Sequence, residues 1–189
     1  MAQAPHGAGK SSFDLIDAAG LMDNLEPLLG RAVLDLGCGY GDYSLALAER
    51  VESEGVVHAV DPWEEGIREL KQRAGENEGA PIYAHVADAA QGIPLPDNSV
   101  DLCLMAAVLH DIMHDWGHEA ALAEAGRVLK PEGTLAVLEF RKIEGMAGPP
   151  VHIRLSEDEL REVLFRNGFT VGTVSDNGDQ FYLAQARRI

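Results

Sequence analysis

A short glycine-rich segment carries the residues best suited to binding chemistry. Asp35 lies in an apolar run and is followed at two-residue spacing by Gly37, Gly39 and Gly41. Glycines let the backbone turn sharply and let a ligand approach the end of a strand closely. Because many proteins need such a turn merely to reverse the chain, the segment predicts a ligand site only together with its surroundings.

Two further aspartates follow apolar, strand-like runs. Asp61 comes 20 residues after Gly41, where a carboxylate can accept hydrogen bonds from both hydroxyls of a nucleotide ribose. The alternative is a helix cap ahead of Trp63. Asp88 follows the next run and could bind an adenine amino group, or it could simply be a solvated surface residue. Together these positions indicate an adenosine site.

The spacing of the glycines argues against a dinucleotide. A dinucleotide fingerprint is Gly-x-Gly-x-x-Gly, and Asp42 occupies the place of its last glycine. Asp35 adds a second carboxylate, and the pair would repel a pyrophosphate but suit a cationic group. The pattern therefore favours adenosine attached to a positive charge and disfavours an NAD-dependent oxidoreductase, a rival class that nicotinamide titration would test.

Three histidines with two interleaved aspartates form a second candidate cluster: His110, Asp111, His114, Asp115 and His118. On one continuous helix the three rings would share a face and could ligate a metal. Gly117 weakens such a helix, so we expect no metal site. A relaxed phosphate-loop pattern from Ala4 to Ser11 has only three residues before it, too few for the buried strand that such a loop must follow.

Strands that alternate with helical patterns must position these residues, which is typical of a parallel α/β sheet. The predicted strands are Ala32–Leu36, Val56–Val60, Pro81–Val86, Val100–Leu109 (running on into a loop or helix) and Thr134–Phe140, with a closing hairpin of Val171–Val174 and Phe181–Ala186. A helix is predicted from about Tyr43 to Val51, and Ser156 with Glu159 forms a capping box for another.

The composition excludes several classes of partner. The 189 residues carry a formal charge of −16, which argues against nucleic acid or an anionic membrane as the main partner. The longest apolar run, 102–109, is far short of a membrane span, and residues 1–10 lack a signal core, so we expect a cytoplasmic protein. Cys38 and Cys103 fit neither a disulfide framework nor a zinc site.

The sequence resembles the class I S-adenosylmethionine-dependent methyltransferases, in the branch that includes the ubiquinone/menaquinone-type enzymes. The motifs that carry the resemblance are Val33 to Gly41, Val60-Asp61, Asp88, Ile93 to Asp101, Leu109-His110-Asp111 and Arg127 to Leu135. The resemblance implies a Rossmann-like, doubly wound sheet of seven strands, with the last strand antiparallel and helices on both faces. It also implies S-adenosylmethionine as cofactor and a small-molecule methyl acceptor.

Carried over residue by residue, the resemblance implies a set of cofactor contacts. They are Asp35, Gly37, Gly39 and Gly41 at the methionine part, Asp61 at the ribose, Asp88 and Ala89 at the adenine, Met105 and Ala106 near the sulfonium, and Trp63 as a further cofactor contact. We expect residues 1–30 to form a helical cap over the cofactor and residues 31–189 to form the methyltransferase domain. Gly148 to Ile153 falls where this family has a substrate-covering loop, although a plain connector is an equal alternative.

His110 is the candidate catalytic residue, because it follows the fourth strand beside the expected methyl-transfer site. It could accept a proton from a carbon or phenol acceptor. The sequence shows no triad around it, and positioning alone supplies most of the rate to a ready nucleophile, so we expect that it is not an essential base. The rival to an enzyme is a non-catalytic protein that binds S-adenosylmethionine or S-adenosylhomocysteine. The sequence specifies neither the acceptor nor the oligomeric state.

Overall fold

The computed structural model describes residues 7–25, 27–114 and 117–189. Their strands are β1 (Ala32–Leu36), β2 (Val56–Asp61), β3 (Ile82–Val86), β4 (Val100–Ala106), β5 (Leu129–Phe140), β6 (Phe169–Asn177) and β7 (Phe181–Arg188). Their helices are α1 (Ala18–Asn24), α2 (Asp42–Val51), α3 (Glu64–Ala74), α4 (Leu109–His114), α5 (His118–Val128) and α6 (Glu157–Arg166), with single 3₁₀ turns at Phe13–Leu15 and Val151–Ile153.

The strands form one seven-stranded sheet in the order β3-β2-β1-β4-β5-β7-β6. Neighbouring strands from β3 to β5 pair in parallel, and β7 pairs antiparallel with both β5 and β6. The strand order reverses between β1 and β4, and a crevice opens at such a switch point outside the carboxyl ends of the strands. The predicted fold, with its antiparallel last strand, is confirmed.

Helices cover both faces of the sheet because its inner strands are apolar on both sides. Leu34 and Leu36 of β1 belong to one buried cluster with residues of α4, α5 and α6. Val33, between them, belongs to a second cluster with residues of α1 and α2 on the opposite face. Side chains alternate between faces along a strand, so adjacent apolar residues feed two separate cores. This doubly covered sheet gives the site a rigid floor.

Several element boundaries differ from the sequence prediction: β6 and β7 are longer than the predicted hairpin strands, and the ends of β4 and β5 also differ. Strand β4 ends at Ala106, because Ala107 has a positive φ of 52° that breaks the extended chain, and α4 then begins at Leu109. Strand β5 begins at Leu129 and not at Thr134, with a shift in its pairing with β4 between Val100 and Leu102. The capping box at Ser156 is confirmed, since its hydroxyl accepts the Glu159 N–H and the Glu159 carboxylate accepts the Ser156 N–H. Within the described ranges, no helix is long and apolar enough to cross a membrane.

Candidate active site

A cleft of about 1100 Å³ lies at the carboxyl ends of the parallel strands. One half of its wall, here called the glycine-loop half, consists of residues 37–40, 61–63 and 87–91. The other, here called the histidine half, consists of His110, Asp111, Phe140 and 148–150, and residues 7–12 line both halves, since a Cβ at Gly9 would lie 3.6 Å from Tyr40 and Trp63. The charged side chains of the described lining are Lys10, Asp61, Asp88 and Asp111, besides the titratable His110. The acidic balance of this lining suits a ligand that carries positive charge.

Gly37 and Gly39 shape the glycine-loop half in different ways. Gly37 has φ of 80°, and a Cβ atom there would come within 2.5 Å of the Val108 side chain, so only glycine fits. Gly39 has φ of 54°, and a Cβ there would meet no atom within 4 Å. Because Gly39 lines the cleft, a side chain at this position would enter the space that a ligand needs. The loop thus leaves its backbone exposed to the cleft.

Asp61 is the best-fixed carboxylate of the cleft. Its Oδ2 accepts the Gly39 N–H at 2.9 Å and its Oδ1 accepts the Trp63 N–H at 2.8 Å. Burial raises the pKa of Asp61, and these two hydrogen bonds partly offset that effect. Each oxygen keeps a second lone pair for a ligand hydroxyl. The sequence also allowed Asp61 to be a helix cap. The N-cap residue of α3 is Trp63, and Asp61 contributes to this helix start by accepting the Trp63 N–H.

The residues predicted as site residues divide into those that line the cleft and those that do not. The cleft brings together eight of the eleven predicted site residues, namely Gly37, Gly39, Asp61, Trp63, Asp88, Ala89, Ala106 and His110. Asp88 is exposed and its Oδ1 accepts the Ala90 N–H at 2.9 Å, so the solvated-surface alternative also describes it. Gly41, Asp35 and Met105 do not line the cleft, and Met105 is fully buried.

Asp35 lies beneath the glycine loop as a buried acid. Its Oδ2 accepts a hydrogen bond of 2.6 Å from the Ser44 hydroxyl, and its Oδ1 has no hydrogen-bond partner among the described residues. Burial raises the pKa of Asp35 to about 7, with smaller contributions from the nearby charges of Asp61 and Asp42. The carboxyl therefore lies close to its own titration point at neutral pH.

His110 has a partner that the sequence analysis missed. Its Nδ1 lies 2.8 Å from Oε2 of Glu139, whose side chain is fully buried near the end of β5. Glu139 also accepts the backbone N–H groups of His110 at 3.1 Å and Phe140 at 3.2 Å. The available signal was a single carboxyl inside the otherwise apolar run 134–140. A buried charge is costly unless it is paired, so its presence there marks a polar site.

Arg154 is the second residue that the sequence analysis missed. It is 2% exposed, and its guanidinium donates to five backbone oxygens, those of Arg141, Ile143, Met146, Ala147 and Pro149. Its guanidinium carbon also lies 5.5 Å from the centre of the Phe140 ring. Arg154 thereby ties down the segment whose residues 148–150 line the cleft. His152, by contrast, is exposed.

The three histidines do not lie on one helix. His110 and His114 belong to α4, whereas His118 begins α5 after a break at Gly117. Asp115 lies outside the described residues, and no group of three metal-binding side chains occurs within them. Of the phosphate-loop pattern, Ala4 is outside the described residues, and residues 9–11 line the cleft with no strand before them in the described part of the chain.

The sheet order, the glycine loop and the acid at the end of β2 define an α/β protein with a nucleoside-binding cleft. A family profile described as a methyltransferase domain matches residues 33–133. The chain belongs to this methyltransferase family, and the resemblance carried by the motifs is confirmed at the level of family and fold.

Individual relatives agree with the family assignment. The chain is 39% identical over 123 residues to a ubiquinone/menaquinone biosynthesis C-methyltransferase, UbiE, from Paraburkholderia phymatum, covering 64% of this chain and 46% of the relative. It is 42% identical over 118 residues to UbiE from Neisseria meningitidis serogroup B, covering 60% and 44%. The chain thus spans about half the length of these relatives. A crystal structure of a SAM-dependent methyltransferase from Aquifex aeolicus matches with a TM-score of 0.86 and 30% identity, covering 95% of this chain and 93% of that one.

Proposed function

We propose that this protein is an S-adenosylmethionine-dependent methyltransferase that acts on a small-molecule acceptor. The observation that carries the proposal is the Asp61 carboxylate, held at the end of β2 by N–H groups of the glycine loop and of Trp63. A carboxylate fixed in this way can accept both ribose hydroxyls while the loop backbone faces the rest of the ligand. The family match over residues 33–133 supports the same ligand.

The charges of the cleft support a sulfonium ligand over a dinucleotide. Three aspartates and one lysine line it, so a pyrophosphate would meet net repulsion whereas a cationic cofactor would be attracted. S-adenosylmethionine, when bound, supplies a methyl group already activated on a sulfonium sulfur. The protein then needs no nucleophile of its own, and its residues bind, orient and exclude water.

The histidine half is the proposed acceptor side. Residues 7–12 and 148–150 enclose it together with Phe140 and His110, and the cleft therefore has room next to the glycine loop for a small molecule. Under this proposal, residues 1–30 act as the cap over the cofactor. The cytoplasmic location and the exclusion of nucleic-acid and membrane partners stay predictions from the acidic composition.

Calorimetry with S-adenosylmethionine, S-adenosylhomocysteine and NAD tests the proposal. We expect both adenosyl ligands to bind and NAD not to. Asp61→Ala should weaken both by about 1.5–3 kcal/mol, because two ribose hydroxyls lose a charged acceptor. Asp158→Ala is the matched control, since Asp158 is exposed on α6 and outside the cleft. Tight NAD binding, or unchanged affinity in the Asp61 variant, would contradict the proposal.

A further inference from the structure

The histidine half contains a buried acid–imidazole pair. His110 is the second residue of α4 and Glu139 is the residue before the last of β5, and their side chains are 3% and 0% exposed. They lie 29 residues apart in the sequence and are joined by the 2.8 Å contact between Nδ1 and Oε2. No other side chain of the described cleft lining is an imidazole. His110 is thus the one side chain of the described lining in which a neutral proton acceptor lies in contact with a buried carboxylate.

The hydrogen bonds of Glu139 fix which ring nitrogen carries the proton. Its Oε1 accepts the His110 N–H and its Oε2 accepts the Phe140 N–H, while Nδ1 of the His110 ring lies 2.8 Å from Oε2. An ionised carboxylate can only accept, so a ring nitrogen at this distance must be the donor. Nδ1 therefore carries a proton in the neutral ring, and Nε2 keeps a free lone pair. This is the tautomer that can take a proton from a neighbouring molecule.

Nε2, the other ring nitrogen of His110, lies near a second acid that belongs to the lining of the cleft. Its charged neighbour is Asp111, whose Oδ1 lies 3.5 Å away and whose side chain also lines the cleft. Burial by itself lowers the pKa of His110, but the hydrogen bond and charge of Glu139, with the charge of Asp111, outweigh burial and the opposing charge of Arg154, so the pKa is raised. A stronger base results, and the imidazolium that forms has a carboxylate beside it.

We propose that Glu139 is a positioning residue that holds His110 as the proton acceptor of the reaction, and that the methyl acceptor is accordingly a phenol, an enol or a carbon acid. The inference rests on the proposed function and goes further by naming the substrate class. The acceptor X–H gives its proton to Nε2 of His110 and forms the X–CH₃ bond, while the methyl–sulfur bond breaks and its electron pair stays on sulfur. Solvent later removes the proton from His110. Thiolates and free amines, already nucleophilic, need no such pair.

A merely structural pairing makes different predictions. If Glu139 only tied β5 to α4, a glutamine would serve nearly as well, because an amide oxygen in the place of Oε2 still accepts the Phe140 N–H and the Nδ1 proton. If the negative charge of Glu139 supports the proton that His110 takes up, Glu139→Gln keeps the ring proton on Nδ1 but removes the charge that raises the pKa of His110. The two roles therefore differ in a spectroscopic signature that does not depend on turnover.

The experiment is a proton–nitrogen NMR titration of protein with ¹⁵N-labelled histidine, free and saturated with S-adenosylhomocysteine. In the wild type we expect the neutral His110 ring to carry its proton on Nδ1. In Glu139→Gln we expect the same tautomer and a lower pKa. His114→Gln, on the exposed end of the same helix, assigns signals and should leave His110 unchanged. A wild-type ring protonated on Nε2, or an unchanged pKa in Glu139→Gln, would overturn the pair, and the wild-type measurement decides even if the variant fails to fold.

A second arm tests the acceptor class. S-adenosylhomocysteine formation is measured with catechol, pentane-2,4-dione, butylamine and 2-mercaptoethanol as probes. We expect turnover with one of the first two, reduced by on the order of 10² in Glu139→Gln because the imidazolium that forms loses its neighbouring negative charge. Methylation of the thiol or amine that is equally fast in His110→Ala would overturn the substrate class. Because S-adenosylhomocysteine binding is measured in the same samples, its loss in the wild type would count against the proposed function and not against the pair.

Discussion

The two halves of the cleft are built in different ways. In the glycine-loop half, the ligand-facing groups are backbone atoms and one carboxylate at the ends of adjacent strands, and Asp61 bonds Trp63 two residues away and Gly39 22 residues away. In the histidine half, the contacts join distant segments: His110 meets Glu139 across 29 residues, and Ser12 meets Tyr43 across 31. The glycine loop and the acid at the end of the next strand form a motif of fixed spacing that the sequence displays, whereas the side-chain pairs of the histidine half are visible only once the chain has folded.

This difference assigns separate tasks to the halves. The glycine-loop half offers a common ligand a fixed set of acceptors and leaves its backbone open. The histidine half carries the titratable pair and the segments that enclose the neighbouring space. Changes in the first half should therefore alter cofactor affinity, and changes in the second should alter turnover.

The largest effect should come from His110→Ala, although the sequence alone led us to expect that His110 is not an essential base; the buried contact with Glu139 reverses that expectation. Loss of the proton acceptor should lower kcat by roughly 10² to 10⁴, while S-adenosylhomocysteine affinity stays within a few-fold. Asp61→Ala should do the reverse, weakening the cofactor with a smaller effect on kcat at saturation. Steady-state kinetics with calorimetry measures both. Equal losses of affinity and kcat in both variants would abolish the distinction between the halves.

The next largest effect should come from Asp35→Asn, which changes the buried acid beneath the glycine loop and thereby the pH dependence of the free energy of unfolding. Its raised pKa of about 7 means that the folded state holds a proton that the unfolded state, with a pKa of 3.8, has already lost. Stability is therefore lost as the pH rises from about 4 to 7. Asp35→Asn removes this cost, so its advantage in the free energy of unfolding should widen with pH, to at most about 4 kcal/mol at pH 8.

Urea denaturation at pH 5 and pH 8 measures the widening, with Asp158→Asn as the exposed control. A gap that is independent of pH would show that Asp35 is already ionised in the folded protein. That result would also place a fixed negative charge beneath the cofactor loop.

Substitution of Arg154 tests whether the histidine half depends on the hydrogen bonds of this one side chain. Arg154→Ala leaves five backbone oxygens without their charged donor and should lower the free energy of unfolding by about 2–4 kcal/mol. Arg154→Lys should recover only part of this, because an ammonium cannot reach five acceptors in the plane of a guanidinium. Hydrogen exchange should rise across residues 141–153 and stay unchanged in the glycine loop. Arg68→Ala, on an exposed face of α3, is the control.

The smallest effect concerns the segment before α1. Ser12 and Tyr43 share a buried hydrogen bond of 2.7 Å, and Phe13 packs edge-on against the Tyr43 ring at 5.1 Å. Tyr43→Phe removes only the hydrogen bond and should cost about 0.5–1.5 kcal/mol. Limited proteolysis within residues 7–15 should become faster, and S-adenosylhomocysteine should slow it if the segment caps the cofactor. Protection that is identical with and without the ligand would contradict the cap.

The sequence could predict what depends on neighbours in the chain. The doubly wound sheet of seven strands with an antiparallel last strand follows from the motifs, and Asp61 could be found because it ends a strand at a set distance from the glycines. Glu139 could not be assigned, because one carboxyl within an apolar strand gives no indication of which side chain it faces. Arg154 was missed for the same reason, since its acceptors are backbone oxygens that any sequence supplies. The early end of β4 depends on a positive φ at Ala107, which no residue type signals.

The position of β7 has a consequence for the order in which the chain can fold. Although it follows β6 in the sequence, β7 lies between β5 and β6 and pairs with both. A nascent chain that has emerged only as far as Asn177 would hold β6 with no strand to join and β5 with an open edge. Unpaired edges of this kind invite association with other chains. During synthesis, therefore, the sheet stays in two unjoined parts until Phe181 to Arg188 has emerged, and those eight residues close it in a single late step.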